Sequence, residues 1–454
     1  MSMRKVASIL LCGVMTVSLL AGCSSGGNEA DNQAAGKGEG QQENGKAEEQ
    51  EDAGTSDEEQ VELRISWWGS DARHEATLKA LDLFMEKYPN IKVSAEYQGF
   101  DGYHDKLTTQ ISSGTEPDVY QLDNNQYFAG LAANDKLGDL DPYIGKELKL
   151  DDYPESVLVW AQYNGKQYGI PTGLNGYLLK WNKNIFDEAG VAYPTDDWSW
   201  EDFEKAMQQI YDKTGKYGMV EPAWNISTTR ARQNGQWLAT EDGELLDFSA
   251  ELSKSFEQYN KWRETGVLPP LDLTVGQESQ QDNLFLSGDA ACYIAPIAQF
   301  AQDHAAMADG TELGVSLIPG AKKNGGSYVM ASMPWTLGKG SKHPKEAVML
   351  INFLINDPEA AKILMTVRGV PAPESVREII TPLLEGDALI TVEGVNLLVE
   401  NTKRIDYEWL VPGTAGMENT IMDEQYATGY GQKTPEEAAK KAYETILESV
   451  NNAK

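Results

Sequence analysis

The alternation of strand and helix patterns across residues 61–122 constrains the fold most. Val61, Leu63 and Ile65 are apolar and alternate with Glu62, Arg64 and Ser66, which predicts a strand with one buried face. Gly69-Ser70-Asp71 follows, with Ser70 placed as an N-cap. Leu78, Leu81, Met85 and Tyr88 then recur at helical spacing until Pro89 ends the helix. Ile91, Val93, Ala95 and Tyr97 predict a second strand. Asp101 is placed to cap a helix with Tyr103, Leu107 and Ile111 on one face, and Pro117 to Leu122 predicts a third strand. This alternation builds βαβ units and a mostly parallel sheet. Such sheets hold ligands beyond the carboxyl ends of their strands. Here those ends are Trp67-Trp68-Gly69, Gln98-Gly99-Phe100 and Asp123-Asn124-Asn125.

Similar punctuation continues down the chain. Gln162 to Tyr168 reads as a hairpin turning at Asn164-Gly165. Tyr177 to Trp181 is apolar, and a helix from Asn184 to Ala189 stops at Gly190. Ser199-Trp200-Glu201-Asp202 is a capping box. Pro344 stands near the start of a helix with Val348, Ile351, Leu354 and Ile355 on its apolar face, and Asp357-Pro358-Glu359 restarts a helix. Thr434-Pro435-Glu436-Glu437 opens the terminal one. From residue 61 onward there is room for two or three units of roughly 100–200 residues. A core that large needs no disulfide or metal. Of Cys12, Cys23 and Cys292, only the last falls in this part, and no metal-knuckle spacing occurs.

The chain carries 38 Lys/Arg against 70 Asp/Glu, a net charge of −32. That sign opposes nucleic-acid binding, and no basic cluster with interleaved aromatics compensates. The acidity reads as solubility of an exported protein. No apolar run carries the flanks of a series of membrane spans.

Arg4 and Lys5, the mostly apolar stretch Val6 to Ala21, and Leu20-Ala21-Gly22-Cys23 form the three regions of a signal peptide. The last four residues resemble the lipobox of bacterial lipoproteins. That resemblance implies cleavage after residue 22 and a lipid on Cys23 holding the chain at the outer face of the cell membrane, two acyl chains on its diacylglycerol giving a stable anchor. The bland alternative is a plain secretory signal with a chance cysteine. Residues 24–60 hold Gly, Ser, Gln and many acids without a large apolar residue, so 23–60 reads as a disordered acidic tether.

Beyond the tether the residues resemble the extracellular solute-binding proteins of carbohydrate ABC importers, the maltose-binding-protein-like family 1. The carriers are Leu63-Arg64-Ile65-Ser66-Trp67-Trp68, Gly114-Thr115-Glu116-Pro117-Asp118-Val119, Tyr163-Asn164-Gly165-Lys166 with Gly169-Ile170-Pro171, and Trp181-Asn182-Lys183 with Phe186. The Ser199 helix start and Ser341-Lys342-His343-Pro344-Lys345-Glu346-Ala347 add to them. Trp-Trp-Gly-x-Asp-x-Arg and Gly-Phe-Asp-Gly-Tyr look most like a branch that includes binders of pectin and rhamnogalacturonan fragments. The resemblance implies an α/β fold of the two-lobe periplasmic-binding-protein-like type II, each lobe a mostly parallel sheet flanked by helices, with a cleft between. Lobe one would be 61–172 plus 327–368, and lobe two 173–326 plus 369–450. Crossovers would fall near Thr172-Gly173, Gly326-Ser327 and Gly369-Val370. The implied partners are an oligosaccharide and the permease subunits of an ABC transporter, with the chain acting as a monomer and no cofactor or metal.

A sugar offers hydroxyls in its ring plane and apolar C–H faces above and below. A binder needs flat aromatics for the faces and carboxylates, amides or Arg for the hydroxyls. Trp68 at a strand end is a candidate, with core packing as the alternative. Trp67 alternates with Ile65 toward the core. Trp224, in a Glu-Pro-aromatic segment like the family's, Trp335 after the second crossover, and Trp409 in a late loop are further candidates by resemblance. Asp71, Arg73, Gln98, Phe100, Asp123 and Asn124 occupy the strand-end loops, where helix capping and surface charge are the plainer roles of Asp71 and Arg73. Asn175 and Arg230 complete the set. Ala290-Ala291-Cys292-Tyr293 lacks the tryptophan that many relatives carry there, which argues against a maltose-like binding mode.

Enzyme motifs fail on inspection. His74-Glu75 has Leu78 where a zinc motif needs His, and Gly320-Ala321-Lys322-Lys323-Asn324-Gly325 has Gly326 where a phosphate loop needs Lys. The chain is expected not to be an enzyme. The alternatives kept are a secreted lipoprotein glycoside hydrolase, since chance carboxylate pairs abound, and a cell-surface polysaccharide adhesin.

Overall fold

The computed structural model describes residues 60–123, 127–240, 243–275, 283–402, 411–414 and 416–453. The expected signal, Cys23 and nearly all of the tether, together with Asn124 and Trp409, lie outside the described residues.

The chain begins with β1 (Val61–Trp68), α1 (Asp71–Lys87), β2 (Ile91–Gln98), α2 (Tyr103–Ser113) and β3 (Val119–Gln121). β1 pairs in parallel with both β2 and β3, as the alternation predicts. A hairpin follows, β4 (Gln162–Tyr163) and β5 (Lys166–Gln167), its turn set by positive φ at Asn164 and Gly165. Next come β6 (Gly169–Pro171), β7 (Gly173–Asn175), β8 (Tyr177–Asn182), β9 (Tyr217–Met219), β10 (Ala290–Pro296) and β11 (Leu313–Ser316). The last strands are β12 (Met330–Ala331), β13 (Pro334–Leu337) and β14 (Val370–Pro371).

Two larger sheets result, ordered β2-β1-β3-β13-β6 and β11-β8-β10-β9. β13 enters the first sheet antiparallel to both neighbours, and β8 does the same in the second. These strands carry the chain back from, and on into, the opposite sheet, so they run against the βαβ direction. A third sheet, β12-β7-β14, is built from the three segments joining the two larger ones. It is antiparallel throughout.

Leu63, Ile65 and Trp67 face a core with Phe84 of α1 and Ile351 of the Pro344–Asn356 helix. Trp68, Tyr120 and Leu122 face the other way, against Tyr103, Leu107 and Ile111 of α2. The first sheet is thus sandwiched between helices. In the second lobe Phe203, Phe256, Tyr259 and Trp262 are almost fully buried. The capping boxes of Ser199–Asp202 and Thr434–Glu437 form with both reciprocal bonds. Asp357 caps the next helix through the Glu359 and Ala360 amides. Two expected caps do not form. Ser70 holds the N-cap position without a side-chain bond, and α2 starts from Gly102 at φ 74° rather than from Asp101. Among the described residues no helix is long and apolar enough to cross a membrane.

Candidate functional site

The carboxyl ends of β1, β2 and β3 meet in one aromatic cluster. Trp68 closes β1 with its ring centroid 5.2 Å from Tyr103, 5.0 Å from His104 and 5.7 Å from Phe100, which meets it edge-on. His104 stacks on Tyr127 at 4.1 Å with the planes 7° apart. The backbone N–H of Asp123 donates to His104 Nε2 at 3.3 Å, which puts the ring proton on Nδ1. Burial holds the His104 pKa below the usual imidazole value, against the pull of Asp123 and Asp105, so the ring is neutral. Trp68 is only 7% exposed, whereas Phe100 is 55% exposed. Phe100 is therefore an open ring at this strand end, and Trp68 is its packed backing.

On the other face of β1, Tyr97 stacks on Trp67 at 5.2 Å and lies 4.6 Å from His74. Trp67 Nε1 donates to His74 Nδ1 at 3.0 Å. Tyr97 and Phe100 are both exposed large rings at the end of β2. Sequence patterning does not find Tyr97, His104 and Tyr127. Period-two alternation assigns Tyr97 inward, whereas β2 is the edge strand and leaves that ring open. The pairing of His104 with Tyr127 links two segments that have no shared period.

The polar candidates of the first lobe are held in a backbone network. Asp71 is exposed at the first position of α1. Arg73 donates from Nε to the Val367 carbonyl at 2.8 Å and from Nη1 to the Trp68 carbonyl at 3.1 Å. Gln98 Nε2 donates to the Asp101 carbonyl at 3.2 Å. Arg368, absent from the sequence-based set, donates from Nε to Gln121 Oε1 at 3.1 Å. Its guanidinium lies 4.7 Å from the Trp335 ring centroid. Trp335 is 1% exposed, so its indole serves as the floor under Arg368 and offers no free face.

In the second lobe Trp224 opens the Trp224–Gln233 helix and is half-buried. The preceding Glu221 is gripped by both terminal nitrogens of Arg263, and Gln425 Nε2 donates to Glu221 Oε1 at 2.7 Å and to the Pro222 carbonyl at 2.9 Å. Glu221 thus fixes the loop that presents Trp224. Arg230 is half-buried and faces two indoles. Its guanidinium is packed over Trp200 at 4.8 Å and Trp262 at 5.5 Å, inside the lobe. Asn175 Oδ1 accepts the Ala298 N–H at 3.0 Å and ties β7 to the segment after β10. The structure therefore gathers Trp68, Asp71, Arg73, Gln98, Phe100 and Asp123 at one sheet end. It places Trp224, Asn175 and the half-buried Arg230 elsewhere and buries Trp335. Among the described residues no group of His, Cys, Asp and Glu is placed to hold a metal.

Residues 79–390 match the family described as bacterial extracellular solute-binding protein. The chain is 26% identical over 321 residues to the arabinooligosaccharide-binding protein of Bacillus subtilis (strain 168), covering 68% of this chain and 72% of that one. It is 25% identical over 363 residues to the diacetylchitobiose binding protein of Streptomyces coelicolor, covering 77% and 80%. The solved structure of a periplasmic oligogalacturonide binding protein from Yersinia enterocolitica superposes with a TM-score of 0.74 at 27% identity, covering 86% of this chain and 100% of that chain. The β-sheet order, the three joining strands and the match over most of the chain make it a member of the bacterial extracellular solute-binding proteins.

Proposed function

We propose that this chain captures an oligosaccharide outside the cell and delivers it to the permease of an ABC importer without altering the sugar. The observation that carries this reading is the pairing of an open ring, Phe100, with amide and guanidinium groups at the same strand ends. A flat ring covers a sugar's C–H face while polar groups pair its hydroxyls, the combination a pyranose requires. Lobe one would comprise 61–172 plus 327–368 and lobe two 173–326 plus 369–450, with the three-stranded sheet as the hinge. Ligand touching both lobes favours the closed state by population shift. Lipid on Cys23 would keep this monomeric receptor at the outer face of the cell membrane, and fatty-acid labelling lost in Cys23→Ala tests that anchor.

The test of function is a thermal-shift screen against plant oligosaccharides. A ligand at 100 times its Kd stabilises by about 2.7 kcal/mol. A saccharide that raises the melting temperature and is recovered intact supports the proposal. New reducing ends would favour the hydrolase reading instead, and a panel with no shift would remove the carbohydrate reading.

A further inference from the structure

Among the described residues, Arg368, a buried cation of the first lobe, has no anionic partner. Arg368 is 6% exposed, and beyond its one bond to Gln121 the Nη1 and Nη2 groups are buried with no hydrogen-bond partner. The plane rests on two indoles, Trp335 at 4.7 Å and Trp67 at 5.9 Å. Lys180 is paired with Asp303 and Arg263 with Glu221, while Arg377, also buried, has its guanidinium held by Asn396 and the carbonyls of Pro371 and Ala372. An uncompensated buried charge is strongly unfavourable.

Two further positive groups converge on the same place. Arg73 binds the carbonyl of Val367, the residue before Arg368, and its charge is felt at Arg368. The amino end of α1, a helix of 17 residues, lacks a side-chain cap on its free amides. Among the described residues no carboxylate forms an ion pair with Arg73 or Arg368, in a chain with 70 acids to 38 bases. Asp71 is the acid at this helix end; it is exposed, and its charge acts on His74. Arg368 is, among the described residues, the one charged side chain on a crevice otherwise walled mainly by aliphatic groups such as Leu354, Ile355 and Leu364, with Thr172 and Trp335, where the first lobe meets the joining sheet.

We propose that Arg368, Arg73 and the amino end of α1 form a subsite for a carboxylate, and that the ligand is an acidic, uronate-bearing oligosaccharide. This rests on the carbohydrate reading above and narrows it. A guanidinium fork matches a carboxylate with two parallel bonds, and a helix amino end adds to it. A neutral sugar would leave the charge uncompensated, and sites built to pair a buried polar group reject analogues lacking its partner.

The test is calorimetric titration of the full chain with di- and trimers of galacturonate and glucuronate, each beside its carboxyl-reduced counterpart, and with sodium acetate. The expected result is at least one acidic oligomer binding tenfold or more tighter than its reduced form, weakened by added salt and not displaced by equimolar acetate. Arg73→Gln should lower that affinity at least tenfold, with Arg73→Lys recovering part. Arg368→Gln removes a buried packed group, so if that variant fails to fold, the comparison of ligands in the unaltered protein decides between the outcomes. Reduced and acidic oligomers binding equally would overturn the subsite and leave the carbohydrate reading intact. Acetate competing at equal concentration would overturn it in favour of a free-anion site. No heat from any of these saccharides would overturn the subsite, and the thermal-shift screen against neutral plant oligosaccharides would then decide the carbohydrate reading separately.

Discussion

Lys180 Nζ lies 2.5 Å from Asp303 Oδ2, with the two side chains 0% and 3% exposed. The pair joins β8, in the middle of the second sheet, to the Phe300–Ala306 helix. Burial pulls the Lys180 pKa down, and Asp303 opposes it through hydrogen bond and charge. Removing one partner leaves a bare buried charge. Lys180→Met alone is expected to cost about 3–5 kcal/mol, and adding Asp303→Leu should recover most of that loss. Urea unfolding of the two variants checks it; a double variant no more stable than the single one would refute the account.

Phe100 and Trp68 separate binding from folding. Phe100 is exposed by more than half, so Phe100→Ala should change stability by no more than about 0.5 kcal/mol. Its affinity for the sugar should still fall at least tenfold. Trp68 is nearly enclosed by Tyr103, His104 and Phe100, so Trp68→Ala should cost about 3–5 kcal/mol of folding stability. Melting curves and calorimetric titration of each variant distinguish the roles.

Legibility in the sequence follows distance along the chain. The reciprocal bonds of Ser199 with Asp202, and of Thr434 with Glu437, span three residues and are readable from residue type alone. The βαβ start is equally local, because each strand's alternation is complete within eight residues. The site is not. Arg368 meets Gln121 across 247 positions, and Arg73 meets Val367 across 294. No periodicity encodes such a meeting, so patterning passes over Arg368 and reads Trp335, its buried floor, as a ligand-facing ring. The indole contacts of Arg230 are unreadable for a related reason: a guanidinium suits sugar hydroxyls and indole faces alike, and residue type does not tell them apart.

Gly173 is a sterically tight point of the joining sheet. A Cβ there would stand 2.5 Å from the Arg368 carbonyl oxygen and 3.0 Å from Ser332 Oγ. Its requirement is close approach between β7 and the segment leading into β14, whereas neighbouring Gly369 answers a positive φ of 94°. Gly173→Ala should destabilise the protein by about 1–3 kcal/mol through overpacking. Because the strained segment carries Arg368, ligand affinity should fall with it. Paired measurement of the urea midpoint and the ligand Kd checks both effects, and an unchanged midpoint would contradict the packing argument.

His304 gives the second lobe a pH-dependent tie. Its Nδ1 is 2.8 Å from Asp387 Oδ1, linking the Phe300–Ala306 helix to the Gly386–Asn401 helix, while Nε2 is 3.0 Å from the Thr311 carbonyl. The Asp387 carboxylate, with help from that carbonyl, raises the His304 pKa above its ordinary 6.5. A base whose folded-state pKa is raised binds its proton more tightly in the native state. The stabilisation is therefore fully present below about pH 6.5, the unfolded value, and is lost as pH rises through the folded value. The two side chains are about one-third exposed, so solvent screening limits the pair to below about 1 kcal/mol. His74 and His104 are shifted the opposite way by burial, so the whole-protein profile mixes both signs. The difference between wild type and Asp387→Asn isolates the pair. Melting temperatures from pH 5 to 8 should show wild type ahead of the variant at the acid end and the gap closing toward pH 8. A gap that is constant, or that widens with rising pH, would contradict the assigned direction.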